Sequence, residues 1–359
     1  MLSQINSPAD LAALSHEDLI ELSAEIRALL IEKVSKTGGH LGPNLGVVEL
    51  TVAIHRVFES PKDVIVFDTG HQSYVHKMLT GRGGAFDSLR QRGGISGYPN
   101  RKESEHDVIE NSHASTALSW GDGISYGFSR TRQSDRHVVV VVGDGALTGG
   151  MSWEALNNIA ATEERNLVIV VNDNGRSYAP TMGGMARRFE AIRSKSAYKT
   201  GYLVSRKIFY KFGTFGKAVF DSVHAGLRTL FRHREFGGIF PNLDIKYFGP
   251  VDGHDLEALE TALMRAKEYD GPSVVHAITQ KGRGYTPALQ DQADQFHAVG
   301  KIDPESGLPV PGSAGTSWTD VFSDEIVRIA RANTNVVGIT GAMKIPVGLD
   351  KFADAFPDR

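Results

Sequence analysis

Four short runs of apolar residues constrain this chain more than any other feature. They occupy 64–67, 138–142, 167–171 and 274–278, and none alternates polar with apolar residues. A strand with one wet face alternates. A run that does not is buried on both faces, as in a parallel sheet covered by helices. Between the runs, apolar residues recur at helical spacing over 113–126, 152–162 and 256–269. Strands alternating with helices predict an α/β fold, a parallel sheet with helices on both faces. Ahead of the first strand, Ser15-His-Glu-Asp18 reads as a capping box. The helix it opens carries Leu19, Leu22, Ile26, Leu29, Leu30 and Val34 at helical spacing, and Gly38-Gly39 ends it. A second helix is expected over 47–58.

Residues 282–316 lose this periodicity. Pro287, Pro304, Pro309 and Pro311 punctuate them, and they read as an interdomain linker. A helix over 318–332 and a strand over 336–340 are expected next, as the start of a second α/β domain. One helix and one strand do not bury their own faces. The expected division is a first domain over 1–281 with a basic insertion at 185–245, a linker over 282–316, and the start of a truncated second domain over 317–359.

Composition removes several function classes. The 359 residues include no cysteine, which excludes disulfides, Cys-ligated zinc or iron–sulfur sites and a Cys nucleophile. This fits a reducing, cytoplasmic setting. No run of about 18 apolar residues exists, so no membrane helix is expected, and the first ten residues lack the pattern of a signal peptide. The formal charge of −3 predicts no nucleic-acid partner for the whole chain. Charge is uneven, however. Residues 185–235 hold twelve Lys/Arg against three Asp/Glu, a net +9, which leaves −12 for the rest. Aromatics such as Phe189, Tyr198, Tyr202, Phe209 and Tyr210 are interleaved there. Nucleic-acid binding, amphipathic helices with a solvated basic face, and a mobile cover that attracts anionic substrates all fit that mixture. No nucleic-acid motif accompanies it, which favours the amphipathic insertion.

The run at 138–142 leads into Gly143-Asp144-Gly145-Ala146, and the run at 167–171 leads into Asn172-Asp173-Asn174. A buried strand, a glycine turn and a helix start make an anion site. Gly143-x-Gly145-x-x-x-Gly149 loosely matches a dinucleotide fingerprint, with Asp173 as the ribose acid. Against this, Asp144 would set a carboxylate beside a pyrophosphate with nothing to cancel the repulsion. A metal ion resolves the conflict. One carboxylate, one amide oxygen and one backbone carbonyl, with two diphosphate oxygens and a water, give the six oxygen ligands Mg²⁺ prefers. His71 and His76 have no third ligand candidate nearby, so zinc is not expected, and His254 is expected to organise a turn.

Gly-Asp-Gly followed after about thirty residues by paired asparagines resembles the thiamine-diphosphate signature of transketolase-like enzymes. Further blocks narrow the likeness: Gly39-His40-Leu41-Gly42, Asp68-Thr-Gly-His71-Gln72, Gly97-Tyr-Pro99, Ser112-His-Ala-Ser-Thr116, Gly249-Pro-Val-Asp-Gly-His-Asp255, Lys281-Gly-Arg-Gly-Tyr285 and Phe296-His297. In that order they resemble the 1-deoxy-D-xylulose-5-phosphate synthase family, from Thr37 to the last residue, more loosely over 185–245. The resemblance implies thiamine diphosphate and Mg²⁺ as cofactors. Asp144, Asn174 and the carbonyl of Arg176 would hold the metal. Gly145 and Ala146 would cradle the diphosphate, and Ser112, His113, Ala114, His71 and Tyr285 would line the cofactor. His71, His40 and His297 would move protons or stabilise charge at the reacting centre.

The implied reaction condenses pyruvate with glyceraldehyde 3-phosphate and releases carbon dioxide, a first step towards isoprenoids, thiamine and pyridoxal by the non-mevalonate route. The family forms homodimers. The family's activating glutamate and its substrate-phosphate arginines would fall beyond Arg359, so this chain is expected to be an N-terminal portion that is inactive alone. The alternatives are a non-catalytic thiamine-diphosphate-binding protein and, more weakly, a dinucleotide-binding oxidoreductase.

Overall fold

The computed structural model describes residues 1–162, 165–194, 240–312 and 315–359. At its centre lie β1 (Val64–Phe67), β2 (Val138–Gly143), β3 (Leu167–Asp173), β4 (Lys246–Asp252) and β5 (Ser273–Ile278). They form one sheet in the order β1-β2-β3-β5-β4, and every neighbouring pair is parallel. The four apolar runs are β1, β2, β3 and β5. Patterning alone does not predict β4, because Gly249-Pro250 interrupts it. It lies at the sheet edge, and its register against β5 shifts between Phe248 and Val251.

Side chains alternate along each strand, so every run feeds two cores. Ile65, Phe67, Val139, Val141, Val168, Val170 and Val275 face one. They meet Leu22, Ile26 and Leu30 of the helix His16–Thr37 and Leu259 and Leu263 of the helix Leu256–Lys267. Val64, Val66, Val138, Val140, Val142, Ile169, Val171 and Val274 face the other, against Leu118 of the helix Ala117–Arg130 and Leu156 and Ile159 of the helix Gly150–Ala160. None of these side chains is more than 5% exposed. Burying each is worth about 1.5–3 kcal/mol, so the valine runs contribute a substantial share of the cohesion of the domain.

The first helix is capped as its sequence predicts. Ser15 Oγ accepts from the Asp18 N–H at 3.2 Å, and Asp18 Oδ2 accepts from the Ser15 N–H at 2.9 Å. Gly38 ends the helix at φ 77°. The helix expected over 47–58 is Val48–Val57. The one expected over 113–126 begins later, at Ala117. Ser115 is left-handed at φ 71°, and the N–H groups of Ser115 and Ala117 donate to the Asp68 carboxylate at 2.9 and 3.0 Å. A side chain from the end of β1 therefore decides where this helix starts.

The proline-punctuated stretch is ordered by contacts rather than periodicity. It holds the short helix Thr286–Gln290, and residue pairs Gly39/Val299 and Ile302/Pro309 form antiparallel bridges. The strand expected over 336–340 does not form. Val337 and Ile339 are 61% and 91% exposed, and no described strand lies alongside to pair with them. The helix Trp318–Ala332 packs instead on the helix Asp350–Ala355. Most of the basic insertion, 195–239, lies outside the described residues; the helix Gly184–Ser194 opens it.

Gly121 marks a close helix–sheet contact. A Cβ there would stand 2.3 Å from Val140 Cγ2 and 3.3 Å from Leu167 Cδ1. Alanine gains up to about 1 kcal/mol of helix propensity over glycine. Overpacking against a stiff valine costs about 1–3 kcal/mol. Gly121→Ala is expected to lower stability in chemical denaturation; unchanged or higher stability would show that the helix lifts freely off the sheet.

Candidate active site

Open parallel sheets bind ligands beyond the C-terminal ends of their strands. Here β1 runs into Asp68–His71, β2 into Gly143–Ala146, β3 into Asn172–Arg176, and β5 into Thr279–Lys281. The pairing of Gly143 with Asn172 sets the second and third of these turns side by side. Asp144 is 2% exposed. Its Oδ2 accepts from Thr181 Oγ1 at 2.8 Å, and its Oδ1 accepts the Asn174 N–H at 3.4 Å. Burial, and then the neighbouring Asp173, push the Asp144 carboxyl up from its ordinary range. Asp173 has cationic and imidazole partners of its own, Arg193 and His276. Asn174 Oδ1 accepts the Arg176 N–H at 3.2 Å. The Arg176 guanidinium turns to the carbonyls of Gln292 and Ala293, at 3.3 and 2.7 Å. Gly145 faces Ser177, whose Cβ would be 3.4 Å from an added Cβ. The Ala146 carbonyl accepts from Ser115 Oγ at 2.7 Å and Ser152 Oγ at 2.9 Å, which ties two turns together.

The structure gathers His40, His71 and His297. Ring centroids lie 5.4 Å apart for His40 and His71, 5.9 Å for His40 and His297, and 5.1 Å for His71 and His297. Tyr98 stands 5.7 Å from His40, and Tyr178 lies 3.9 Å from His297. Lys281 Nζ donates to the Ser177 carbonyl at 2.6 Å and lies 3.0 Å from His297 Nδ1. Ser112, His113 and Ala114 are exposed, on the loop before Ala117. Tyr285 sits at the start of the helix Thr286–Gln290. Its ring packs on Phe296 in the core, and its hydroxyl has no hydrogen-bond partner among the described residues.

Burial, with added repulsion from Arg90 and Lys281, lowers the His40 pKa to about 4. Burial, His40 and Lys281 lower that of His71 to about 3. His297 is driven down by burial and by Lys281. Burial also brings the Lys281 amine down to about 7. At neutral pH these are uncharged imidazoles beside an amine near its midpoint. The ammonium form of Lys281 can only donate, so His297 Nδ1 accepts and its other nitrogen carries the proton. The Nδ1 atoms of His40 and His71 are buried without a protein partner among the described residues. Unpaired nitrogens on neighbouring rings are suited to bind a polar ligand and move its protons.

A family model described as 1-deoxy-D-xylulose-5-phosphate synthase matches residues 2–279. The chain belongs to the 1-deoxy-D-xylulose-5-phosphate synthase family. It is 60% identical over 360 residues to the 1-deoxy-D-xylulose-5-phosphate synthase of Leifsonia xyli subsp. xyli, covering 100% of this chain and 55% of that relative. To the one from Clavibacter sepedonicus it is 59% identical over 360 residues, with the same coverage. The chain thus spans about half the length of the curated relatives it matches. Among solved structures, transketolase from Campylobacter jejuni superposes with a TM-score of 0.57 at 16% identity, covering 96% of this chain and 49% of that one. A transketolase mutant from Pichia stipitis gives 0.58 at 16% identity, with 96% and 48% covered. At that identity the likeness shows the fold, a transketolase-like parallel α/β sheet.

For this member of the synthase family, sequence reading alone assigns no role to Lys281, Tyr98, Tyr178 or Thr181. Lys281 had a usable signal, since it follows the end of a both-faces-buried strand by three residues. The two tyrosines and Thr181 sit in loops whose course no periodicity predicts.

The histidines also generate a pH dependence. His40 titrates near 6.5 when unfolded and near 4 when folded. Between those values the unfolded chain holds more protons. Unfolding free energy therefore rises with pH across that window, is fully gained above 6.5, and is lost as pH falls towards 4. The His40 share is on the order of 2–3 kcal/mol. Denaturant unfolding at pH 4.5 and 7 is expected to show the rise, and His40→Asn to reduce it by that share. An unchanged slope in the variant would remove His40 as its source.

Proposed function

We propose that residues 1–281 form the diphosphate-binding domain of a cytoplasmic, homodimeric 1-deoxy-D-xylulose-5-phosphate synthase that uses thiamine diphosphate and Mg²⁺. The reaction would join pyruvate to glyceraldehyde 3-phosphate with loss of carbon dioxide. The observation that carries this reading is the Asp144 carboxylate, buried beside Asn174 at the ends of adjacent strands and, among the described residues, hydrogen-bonded by a hydroxyl and a long amide contact.

The donor set fits the metal. A second buried carboxylate, Asp173, raises the cost of charge on Asp144, and a divalent cation would relieve it. Asp144, the Asn174 side-chain oxygen and the Arg176 carbonyl offer hard oxygen ligands of the kind Mg²⁺ takes alongside phosphate oxygens. The backbone amides of Gly145 and Ala146 would receive the diphosphate. Ser112, His113, Ala114 and Tyr285 are proposed as further cofactor contacts, and residues 282–316 as the link to a second domain beginning at 317. Bound thiamine diphosphate supplies an electron sink for decarboxylation and carbon–carbon bond formation. The chain's own part is positional and protic. His40 and His71 present neutral imidazole nitrogens, His297 presents an N–H set by Lys281, and Lys281 offers a cation to an anionic group of the substrate or cofactor.

Asp144→Ala removes the anionic ligand. Affinity for thiamine diphosphate in the presence of Mg²⁺ is expected to fall at least tenfold, about 1.4 kcal/mol. Isothermal calorimetry with and without the metal measures this; equal affinity and equal metal dependence in the variant would defeat the assignment.

A further inference from the structure

His254 follows β4 and sits one residue before the cap of the helix Leu256–Lys267. Its backbone N–H donates to Asp252 Oδ1 at 3.2 Å, and Asp255 Oδ1 accepts the Ala258 N–H at 3.0 Å, so the turn is closed without the imidazole. The ring is used elsewhere. Its Nε2 accepts the backbone N–H of Gln280 at 2.8 Å, and its Nδ1 lies 3.0 Å from Glu49 Oε2. A backbone N–H only donates and a carboxylate only accepts. The two contacts together therefore require a neutral ring with its proton on Nδ1.

Glu49 is held on its far side by Arg27, which donates to both carboxylate oxygens at 2.7 and 2.5 Å. Burial opposes the charge on Glu49, yet His254 and Arg27 hold its pKa at about 2. The acceptor for the His254 N–H is thus permanent at neutral pH, and the tautomer is fixed by it.

Gln280 immediately precedes Lys281. The turn they share is tied at three points: the Thr279 N–H to the Asp173 carbonyl at 3.0 Å, the Gln280 N–H to His254, and the Gly282 N–H to the Gly42 carbonyl at 2.9 Å. The middle tie is made by a side chain from a different strand end. Gly46 lets this turn come close, since a Cβ there would stand 3.0 Å from the Gln280 carbonyl oxygen.

We propose that His254 is a positioning residue of the candidate site: its Nδ1–H tautomer, set by the Arg27–Glu49 pair, holds the Gln280 amide and so aims Lys281 Nζ at His297. The functional part of this proposal rests on the cofactor site described above; the positioning part does not.

Two substitutions separate the two faces of the ring. In His254→Gln the side-chain oxygen can reach the Nε2 position and accept from Gln280. In His254→Asn the side-chain amide can reach the Nδ1 position and donate to Glu49 but offers nothing to Gln280. Nitrogen NMR of the unaltered chain is expected to show His254 as the neutral Nδ1–H form; the opposite tautomer or a charged ring at neutral pH would overturn the proposal.

Amide exchange at Gln280 is expected to stay near the unaltered rate in the Gln variant and to quicken roughly tenfold in the Asn variant, the loss of one hydrogen bond. Thiamine diphosphate affinity with Mg²⁺ is expected to follow the same order, at similar melting temperatures. Asn variant exchange equal to the unaltered chain, or Gln no better than Asn, would reduce His254 to a partner of Glu49. If the unaltered chain binds no thiamine diphosphate, the cofactor reading fails, while the tautomer and the exchange order still decide the positioning role.

Discussion

The close passage of two backbones at Gly39–Gly42 and Phe296–Val299 holds the site together. Gly39 and Val299 exchange two hydrogen bonds, at 2.9 and 2.8 Å, and the Gly42 N–H donates to the Phe296 carbonyl at 2.8 Å. A Cβ on Gly42 would lie 2.0 Å from the Gln295 carbonyl oxygen, and Gly39 sits at φ 147°. No other residue type permits this approach without moving a backbone. His40 lies within one partner of the clasp and His297 within the other. Asn44, fully buried, brings in the third histidine. Its Nδ2 donates to the carbonyls of His40 and His71 at 2.7 and 2.8 Å, and its Oδ1 accepts from the Tyr74 N–H at 3.0 Å.

The region trades polar satisfaction unevenly. Away from the histidines, one buried cluster is closely paired. Asp107 takes Arg82 on both oxygens and His76 at 3.0 Å, and His76 in turn meets His55 at 2.9 Å. At the candidate site, His40 and His71 keep a buried nitrogen without a protein partner among the described residues, and the described hydrogen bonds to Asp144 come from a hydroxyl and an amide. Unpaired buried groups cost about 1–3 kcal/mol each. At His40 and His71 the open nitrogens stand on two rings 5.4 Å apart, so they offer a ligand two polar contacts in one place.

What the sequence discloses follows the range of the interaction that determines it. The valine runs state their own burial, so four of five strands and the parallel fold are readable directly. Ser15 and Asp18 are three residues apart, and their cap is readable for the same reason. The start of the helix at Ala117 depends on Asp68 from another strand, and no local pattern reports it. β4 is hidden because Gly249-Pro250 breaks a run that the sheet edge tolerates. The predicted strand at 336–340 has the composition of a strand but no described neighbour to pair with. Among candidate site residues, Asp144, Asn174 and the three histidines emerge from motif and resemblance. Lys281 has only its place beyond a strand end to mark it, and Tyr178 emerges once loops from distant strands are folded together.

The clasp also bears on how such a domain comes into being. His40 and His71 lie in the first quarter of the chain, and the segment that completes their cluster arrives near residue 297. Contacts between remote parts of a chain pay their loop-closure entropy before they are rewarded, and they form late and slowly. During synthesis the early histidines emerge long before Val299 exists to bridge Gly39. The sheet and its two cores can consolidate in the interval, since β1, β2, β3 and β5 precede that segment. The histidine cluster is thereby separated in time from the framework that carries it: the barrel of the lock is cast first, and the tumblers are set by a segment that arrives later.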